Sequence, residues 1–215
     1  MLMIVLFNNN HKKLLIEYIT IYSMNNLDKI ARQLVRILRH QIVELKLNCD
    51  DSGYVKVSDL YKHIPKVTID DLHKIIDMNT KKRLELKKEN NEYYIRAVQG
   101  HNSDVGTLLN DEVALEPILE PLKYCIHGTK EAFIDSIKKN GLNRMSRKHI
   151  HFVNEIQERK QTSGFKKESD ILIFINMQKC MDDGIKFYKS TNNVILTEGI
   201  DGIILPKYFK SIEYR

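Results

Sequence analysis

The spacing of apolar residues changes partway along this chain of 215 residues, and that change limits the folds it can adopt. Between Asp28 and His40 the apolar residues recur at helical spacing, so that they share one face of a helix. Beyond residue 122 most of them form short runs between turn residues, as buried strands do. Helices in the first half and mainly strands in the second predict an α+β protein.

The first half predicts helices that lead into a two-stranded ribbon. Ser58 and Thr68 are placed to cap two helices, Pro65 ends the first of these, and Asp71 completes a capping box with Thr68. Because helices followed by a ribbon are typical of winged-helix proteins, we expect a winged-helix-like lobe. The predicted elements are helices over 28–40, 59–64 and from residue 68, and strands over 54–57, 83–87 and 93–97.

The second half predicts a β-rich lobe with one clear helix. His127-Gly128-Thr129 is expected to turn from a strand into that helix, with Thr129 as its cap and Gly141 as its stop. The predicted strands cover 123–126, 149–153, 171–176, 186–189 and 194–197, and the helix covers 130–140. The resulting division is an N-terminal extension of unknown role (1–26), a first lobe (27–105), a linker (106–121) and a second lobe (122–215).

Composition restricts the cellular setting. Lys and Arg number 34 against 28 Asp and Glu, giving a net charge of +6 that favours polyanionic partners, although a Lys-rich coding bias would give the same excess. Three widely separated cysteines favour a reducing compartment over a disulfide framework. The apolar run 1–7 follows no basic segment and is too short to span a bilayer, so we expect neither a signal peptide nor a membrane partner.

Arginines concentrate on one arc of the predicted helix 28–40. Arg32, Arg36 and Arg39 share this arc with no acidic residue to neutralise them. A solvated polar face would explain the pattern, and so would a surface that binds an anion. Arg39-His40, Arg96 and Arg147 with Lys148 are further basic positions, and guanidinium groups that meet in one pocket would clamp a phosphate dianion. Spacing alone does not show that they meet.

Three histidines allow two interpretations. His149 and His151 would point to the same face of a strand, and together with His127 they could hold zinc, although no carboxylate with ligand spacing accompanies them. Gly128 would instead permit the close approach of a ligand, and a helix starting near Thr129 would favour a phosphate there. A structural role for any one histidine is the third possibility.

Several spaced motifs occur in an order that resembles one family. They are Ile37-Leu38-Arg39-His40, Gly53-Tyr54-Val55, Ile95 to His101, His127-Gly128-Thr129, Gly141-Leu142 with Met145, Arg147, His149-Ile150-His151, Asp183-Gly184, Phe187-Tyr188, Ser190 and Val194 to Thr197. Together they resemble the RNA 2′-phosphotransferases, also called tRNA 2′-phosphotransferases, over roughly residues 27 to 210.

The resemblance implies a winged-helix RNA lobe, a C-terminal ADP-ribosyltransferase-like lobe that binds NAD⁺, and an NAD-consuming reaction. In this family an internal 2′-phosphate of RNA attacks the nicotinamide ribose of NAD⁺ and forms a 2′-phospho-ADP-ribosylated RNA. A ribose hydroxyl then attacks phosphorus, which leaves a 2′-hydroxyl on the RNA and releases ADP-ribose 1″,2″-cyclic phosphate. The implied substrate is a tRNA splice junction, the implied state is a monomer, and the implied location is the cytoplasm, or the nucleus in a eukaryote.

The resemblance also assigns residues. The catalytic set falls on Arg39, His40, Arg96 and Arg147, with the arginines on the phosphate and His40 in acid–base work. The NAD⁺ set falls on His127, Gly128, Thr129, Gly141, Leu142, His149 and His151, which replaces the zinc interpretation and implies no metal. The strand 193–197 lacks the glutamate of protein-modifying ADP-ribosyltransferases, as suits an acceptor that is already a phosphate.

Two positions depart from the family pattern. Tyr54 stands where Trp is common, and Asn102 intervenes between His101 and Ser103, where the family has Ser directly after His. The first keeps an aromatic ring, while the second changes the loop beside the RNA phosphate. Two alternative functions remain open at this point: ADP-ribosyl transfer to another acceptor, and RNA binding without turnover.

Overall fold

The structure is a computed structural model, and it describes residues 24–64, 67–155 and 169–215. These residues form a mixed α+β protein, which confirms the predicted class. One cluster of buried hydrophobic side chains lies within residues 27–105, and a large and a small cluster lie within residues 125–208. We call the parts around them the N-terminal and C-terminal lobes. None of the helices within the described ranges is long and apolar enough to cross a membrane.

Helices of the N-terminal lobe pack on a small antiparallel sheet. Helix α1 (24–36) continues as one π-helical turn, Ile37–Gln41, and thus includes the last three residues of the predicted extension. Residues 1–23 and Pro65 lie outside the described residues. The remaining elements are β1 (Val55–Lys56), α2 (Val57–Leu60), α3 (Ile69–Met78), β2 (Leu84–Glu89) and β3 (Glu92–Ala97), with sheet order β1-β3-β2.

Local sequence signals correctly predicted one helix cap and the hairpin of this lobe, and failed at another cap. Thr68 and Asp71 form the predicted capping box, since each side chain accepts from the other residue's backbone N–H. Asn90 and Asn91 have positive φ angles of 47° and 62°, which fits a tight hairpin turn between β2 and β3. The predicted Ser58 cap is wrong, because α2 already begins at Val57 and has no side-chain cap.

The segment after β3 differs from the predicted linker. It contains α4 (Ser103–Gly106), α5 (Asp111–Ala114) and β4 (Glu116–Ile118). Strand β4 pairs antiparallel with β9 (Phe187–Lys189) of the C-terminal lobe, so much of 106–121 is regular structure. Pro117 is tolerated because β4 is an edge strand of its sheet.

Short strands dominate the C-terminal lobe, as predicted. They are β5 (Ile126–Thr129), β6 (Leu142–Asn143), β7 (Ile150–Phe152), β8 (Ile171–Ile175), β9 (Phe187–Lys189), β10 (Ile195–Thr197), β11 (Ile203–Ile204) and β12 (Phe209–Tyr214). Their sheet orders are β4-β9-β10-β7, β12-β8-β5 and β11-β6. Two helices, α6 (Ile134–Asn140) and α7 (Met177–Asp182), complete the lobe.

The predicted strand-to-helix turn at 127–129 is wrong. His127, Gly128 and Thr129 lie within β5, paired with β8, because the buried apolar run of β8 offers a continuous hydrogen-bonding partner. A 3₁₀ turn, Glu131–Phe133, separates them from α6, and Thr129 caps no helix. Because no helix begins at Thr129, no helix dipole favours a phosphate at this position. The predicted stop is confirmed, since Gly141 ends α6 with a φ of 87°.

Candidate active site

Arg39 and His40 are presented by the π-helical turn that ends α1. Ile37 and Leu38 of the same turn are buried in the N-terminal core, so the two basic residues project away from it toward the C-terminal lobe. A π turn places one extra residue in a helix and is frequent at functional sites. The apolar periodicity predicted the helix and gave no sign of this turn.

The Arg39 guanidinium is enclosed but lacks partners. Its Nε and Nη2 atoms are inaccessible to solvent, yet neither makes a hydrogen bond. Its guanidinium carbon would lie 3.0 Å from a Cβ at position 100, which only Gly100, at a φ of 86°, avoids. Because unpaired buried N–H groups are costly, this arrangement is suited to an acceptor that comes with a ligand.

Electrostatics identify an anion as the fitting ligand. Burial, followed by the charges of Arg83 and Arg147, lowers the pKa of Arg39 to about 10. The pKa of His40 is lowered from its ordinary value by burial first, and then by Arg39 and Arg147. No carboxylate contributes to either shift, so this corner of the protein is a concentration of positive charge.

Arg147 comes from the C-terminal lobe on a braced turn. The Asn143 side chain accepts from Met145 N–H at 2.6 Å, and Arg144 Nη1 donates to the Arg147 carbonyl at 2.6 Å. The Arg147 side chain is exposed, and its charge lowers the pKa of both Arg39 and His40. The structure thus brings together three of the four predicted catalytic residues.

Asn102 contacts both the turn that carries Arg39 and His40 and the turn that carries Arg147. Its backbone N–H donates to the Arg39 carbonyl at 2.9 Å, and its Nδ2 donates to the His40 carbonyl at 3.4 Å. Asn102 also pairs with Arg147 in an isolated β-bridge, and its Oδ1 caps α4 through Val105 N–H at 3.0 Å. Sequence reasoning noticed Asn102 only as a departure, since no local pattern reveals contacts with residues so distant along the chain.

Arg96 is occupied by other contacts. Its Nε and Nη2 lie 2.8 and 2.7 Å from Glu85 Oε2, and Nη1 donates to the carbonyls of Ser52 and Ala114, both at 3.1 Å. Its guanidinium also lies 4.8 Å from the centre of the Tyr54 ring. Arg96 is buried, and after burial and the charge of Arg39 its own charge helps to lower the pKa of His101. Its catalytic role stays a prediction.

A hydrogen bond joins two of the histidines that are predicted to bind NAD⁺. His127 Nδ1 donates to the His151 carbonyl at 2.9 Å, and His151 Nε2 donates to Gln99 Oε1 at 3.0 Å. Burial lowers the pKa of His151 to about 3, assisted most by the Arg147 charge, and burial also lowers the pKa of His127. Both rings are therefore neutral at pH 7, which leaves His127 Nε2 as a hydrogen-bond acceptor.

Gly128 offers backbone groups to a ligand. Ile126 exchanges both of its hydrogen bonds with Val153, on the side of β5 that faces away from β8. Because an antiparallel strand alternates, the N–H and C=O of Gly128 point to that same side. Among the described ranges, no residue pairs with Gly128 there. A carboxamide, which has N–H donors beside a carbonyl acceptor, fits this edge, and nicotinamide carries such a group.

His149 belongs to a separate, acidic network. Its Nε2 lies 2.8 Å from Asp111 Oδ2, and Lys148 Nζ lies 3.0 Å from Asp111 Oδ1. Asp111, His149 and Glu198 place ligand atoms within 4.8 Å of one another, and they are the one such group in the part of the chain that the structure describes. Since Lys148 Nζ also lies 3.8 Å from Glu198, its ammonium already neutralises these acids and competes with a metal ion. The expectation of no metal stays a prediction.

Three predicted NAD⁺ residues lie within the packing of the C-terminal lobe. Leu142 is buried in β6 and pairs with Ile204 of β11. Gly141 packs directly against the backbone of Ile204, where a side chain would collide. Thr129 is buried at the end of β5, paired with Ile171. Their part in binding NAD⁺ stays a prediction.

A known family matches most of the chain. The model described as RNA 2′-phosphotransferase, Tpt1 / KptA family, matches residues 25–199. That range includes α1 from its second residue, the π-helical turn with Arg39 and His40, and the whole turn that carries Arg147.

Individual relatives of known sequence are consistent with the family match. A Schizosaccharomyces pombe protein is 33% identical over 193 residues, which is 88% of this chain, while this chain spans only 52% of that protein. The tRNA 2′-phosphotransferase 1 of Danio rerio is 34% identical over 187 residues, covering 84% of this chain and 83% of its own. The tRNA 2′-phosphotransferase 1 of Homo sapiens is 34% identical over 193 residues, covering 85% and 74%.

Proposed function

Because the chain belongs to the RNA 2′-phosphotransferase, Tpt1 / KptA family, we propose that it removes an internal 2′-phosphate from RNA and transfers this phosphate to NAD⁺. The substrate that we propose is tRNA, since the Danio rerio and Homo sapiens relatives are named for it. The N-terminal lobe would then be a winged-helix RNA-binding unit, and the C-terminal lobe an ADP-ribosyltransferase-like unit that binds NAD⁺.

One observation carries this proposal. Arg39 has two buried N–H-bearing atoms without partners, beside His40 and Arg147 and with no carboxylate in contact. A phosphate dianion would accept from these N–H groups and relieve the mutual repulsion of the arginines. Guanidinium groups also stabilise the charge that spreads over the oxygens during phosphoryl transfer.

NAD⁺, when bound, supplies the ribose carbon that the phosphate attacks and releases nicotinamide. The chain's own residues fit this co-substrate. The Gly128 backbone faces the open side of β5, and neutral His127 presents an acceptor nitrogen beside it. His127 is held in that tautomer by the His151 carbonyl. His151, through Gln99, ties this strand to the segment that carries Gly100 and Asn102.

His40 has the properties of the acid–base residue. Its lowered pKa keeps the ring neutral at pH 7, so that it can accept a proton during phosphoryl transfer and later return it. Arg39 and Arg147 hold a bound phosphate beside that ring. Arg96 adds positive charge near this arrangement, because after burial and the charge of Arg39 it helps to lower the pKa of His101.

The test supplies NAD⁺ and a short RNA with one internal 2′-phosphate. We expect RNA with a 2′-hydroxyl, nicotinamide and ADP-ribose 1″,2″-cyclic phosphate, and no product from Arg147→Ala. Persistence of the 2′-phosphate with the wild-type protein would contradict the proposal. Transfer of ADP-ribose to an RNA end or to a protein would favour an ADP-ribosyltransferase with another acceptor.

A further inference from the structure

A groove lies on the N-terminal lobe between α1 and α3, and it ends at Arg39. Its volume is about 530 Å³, within the range of small-molecule sites and sufficient for one nucleotide. Its lining combines apolar side chains from both helices with three arginines. The lining residues are Leu27, Asp28, Ala31, Arg32, Val35, Arg39, Ile75, Met78, Asn79, Thr80 and Arg83.

The charge of the groove favours an anion. It contains three arginines and one acid, Asp28, which already pairs with Arg32 at 2.8 Å. The Arg83 side chain makes no hydrogen bond or ion pair among the described residues, although its backbone carbonyl accepts from Val98 N–H. Its charge is the largest single contribution, after burial, to the lowered pKa of Arg39. A second anion close to the Arg39 site would relieve this repulsion.

The neutral part of the groove suits an unpaired base. Val35, Ile75 and Met78 provide apolar contacts, while Asn79 and Thr80 provide donors and acceptors for a base edge. Proteins commonly bind single-stranded RNA in this way, with bases laid on apolar or guanidinium surfaces and their edges hydrogen-bonded. A double helix, in contrast, does not fit into a groove of this volume.

From these features we infer that the groove binds the nucleotide adjacent to the one that carries the 2′-phosphate, with Arg83 on its backbone phosphate. This inference rests on the proposed function, because it places the 2′-phosphate at Arg39. Because the groove ends at Arg39, where that phosphate would lie, the neighbouring nucleotide would occupy the groove itself. The protein would thus require an unpaired flank beside the 2′-phosphate.

The test measures RNA affinity without NAD⁺. Wild-type protein and Arg83→Ala are compared on a 2′-phosphorylated RNA with unpaired flanks and on RNAs trimmed at either side of the phosphorylated nucleotide. We expect Arg83→Ala to weaken binding of the longer RNA about tenfold, the loss of one charged contact. The slope of log affinity against log salt should become shallower by about 0.7. RNA trimmed on the side that enters the groove should bind both proteins equally.

Lys62→Ala is the matched control, since it removes one exposed positive charge from the same lobe outside the groove. Equal weakening by Lys62→Ala and Arg83→Ala would overturn the inference, because a general charge effect would then explain both. A 4-thiouridine at the adjacent nucleotide should crosslink to the peptide containing Met78, and crosslinks confined elsewhere would also overturn it. Removal of the 2′-phosphate by wild-type protein is measured in a separate assay with NAD⁺. A negative result in that assay would contradict the proposed function, whereas a negative result in the binding experiments would contradict only the role of the groove.

Discussion

Arg96 and Arg147 carry the same group in different surroundings, and this difference separates two kinds of variant. Arg147 is exposed, and only its backbone is braced by the protein. Arg96 is 8% exposed and is bonded to Glu85, Ser52 and Ala114. The family resemblance assigns both arginines to the catalytic set. The structure predicts different outcomes.

Arg147→Ala should abolish product while the free energy of unfolding changes by less than about 0.5 kcal/mol, because an exposed side chain is removed. Arg96→Ala should lower that free energy by on the order of 2 kcal/mol, because Glu85 and two carbonyls lose their partner. Urea unfolding and a phosphate-transfer assay on both variants test this pair. Equal stability of the two variants would contradict the structural role of Arg96.

Asn102→Ala should reduce activity more than its loss of stability explains. It removes the cap of α4, worth about 1 kcal/mol, and also the hydrogen bond to the His40 carbonyl. Asn110→Ala is the control, since Asn110 caps α5 and contacts neither Arg39 nor His40. Both variants should lose similar stability, while only Asn102→Ala slows turnover, on the order of tenfold. Similar turnover in the two variants would remove Asn102 from the site.

At the scale of elements, α5 joins the two lobes although it has only four residues. Asn110, its cap, donates its backbone N–H to the Asp51 carbonyl, and the Ala114 carbonyl accepts from Arg96. On its other side Asp111 binds His149 and Lys148, while Glu112 binds Tyr188. The same short helix therefore contacts an arginine of the N-terminal lobe and a predicted NAD⁺ residue.

Asp111→Asn should raise the KM for NAD⁺ with little change in the KM for RNA. The variant keeps one acceptor oxygen but loses the negative charge that holds His149 and Lys148. Glu112→Gln is the control, since it makes the same charge change on the same helix and contacts Lys186 and Tyr188 instead. Steady-state kinetics with each substrate varied in turn measure the effect. If both variants raise the two KM values alike, α5 serves only to hold the lobes.

Elements whose signals are local could be predicted from the sequence. The Thr68–Asp71 capping box and the β2–β3 hairpin depend on residues a few positions apart, and both were confirmed. The strand at His127 to Thr129 was misplaced because its partner β8 begins more than 40 residues later at Ile171. The π turn at Arg39 and the pairing of β4 with β9 likewise depend on tertiary contacts, which no local pattern records.

For the whole molecule, sequence reasoning supplied the chemistry of the site and could not supply its assembly. Arg39, His40 and Arg147 were recognised by resemblance, and the structure brings their charges together from two lobes. The sequence contained no sign that Arg39 would be enclosed without partners or that Asp111 would bind His149. Both depend on how the two lobes meet, and two buried histidines at that meeting place make the stability of the molecule depend on pH.

His101 and His151 have folded-state pKa values of about 3, mainly because burial disfavours their charged forms. Since an unfolded histidine titrates near 6.5, the unfolded chain binds more protons between these values. Stability should therefore be complete above about pH 6.5 and fall as the pH drops toward 3, by up to about 1.4 kcal/mol per pH unit for each ring.

Calorimetry at pH 5 in buffers of different ionisation enthalpy measures proton uptake on unfolding. His151→Gln should lower that uptake by about one proton. An unchanged uptake in His151→Gln would show that this ring is protonated in the folded protein and would contradict the lowered pKa that burial gives it.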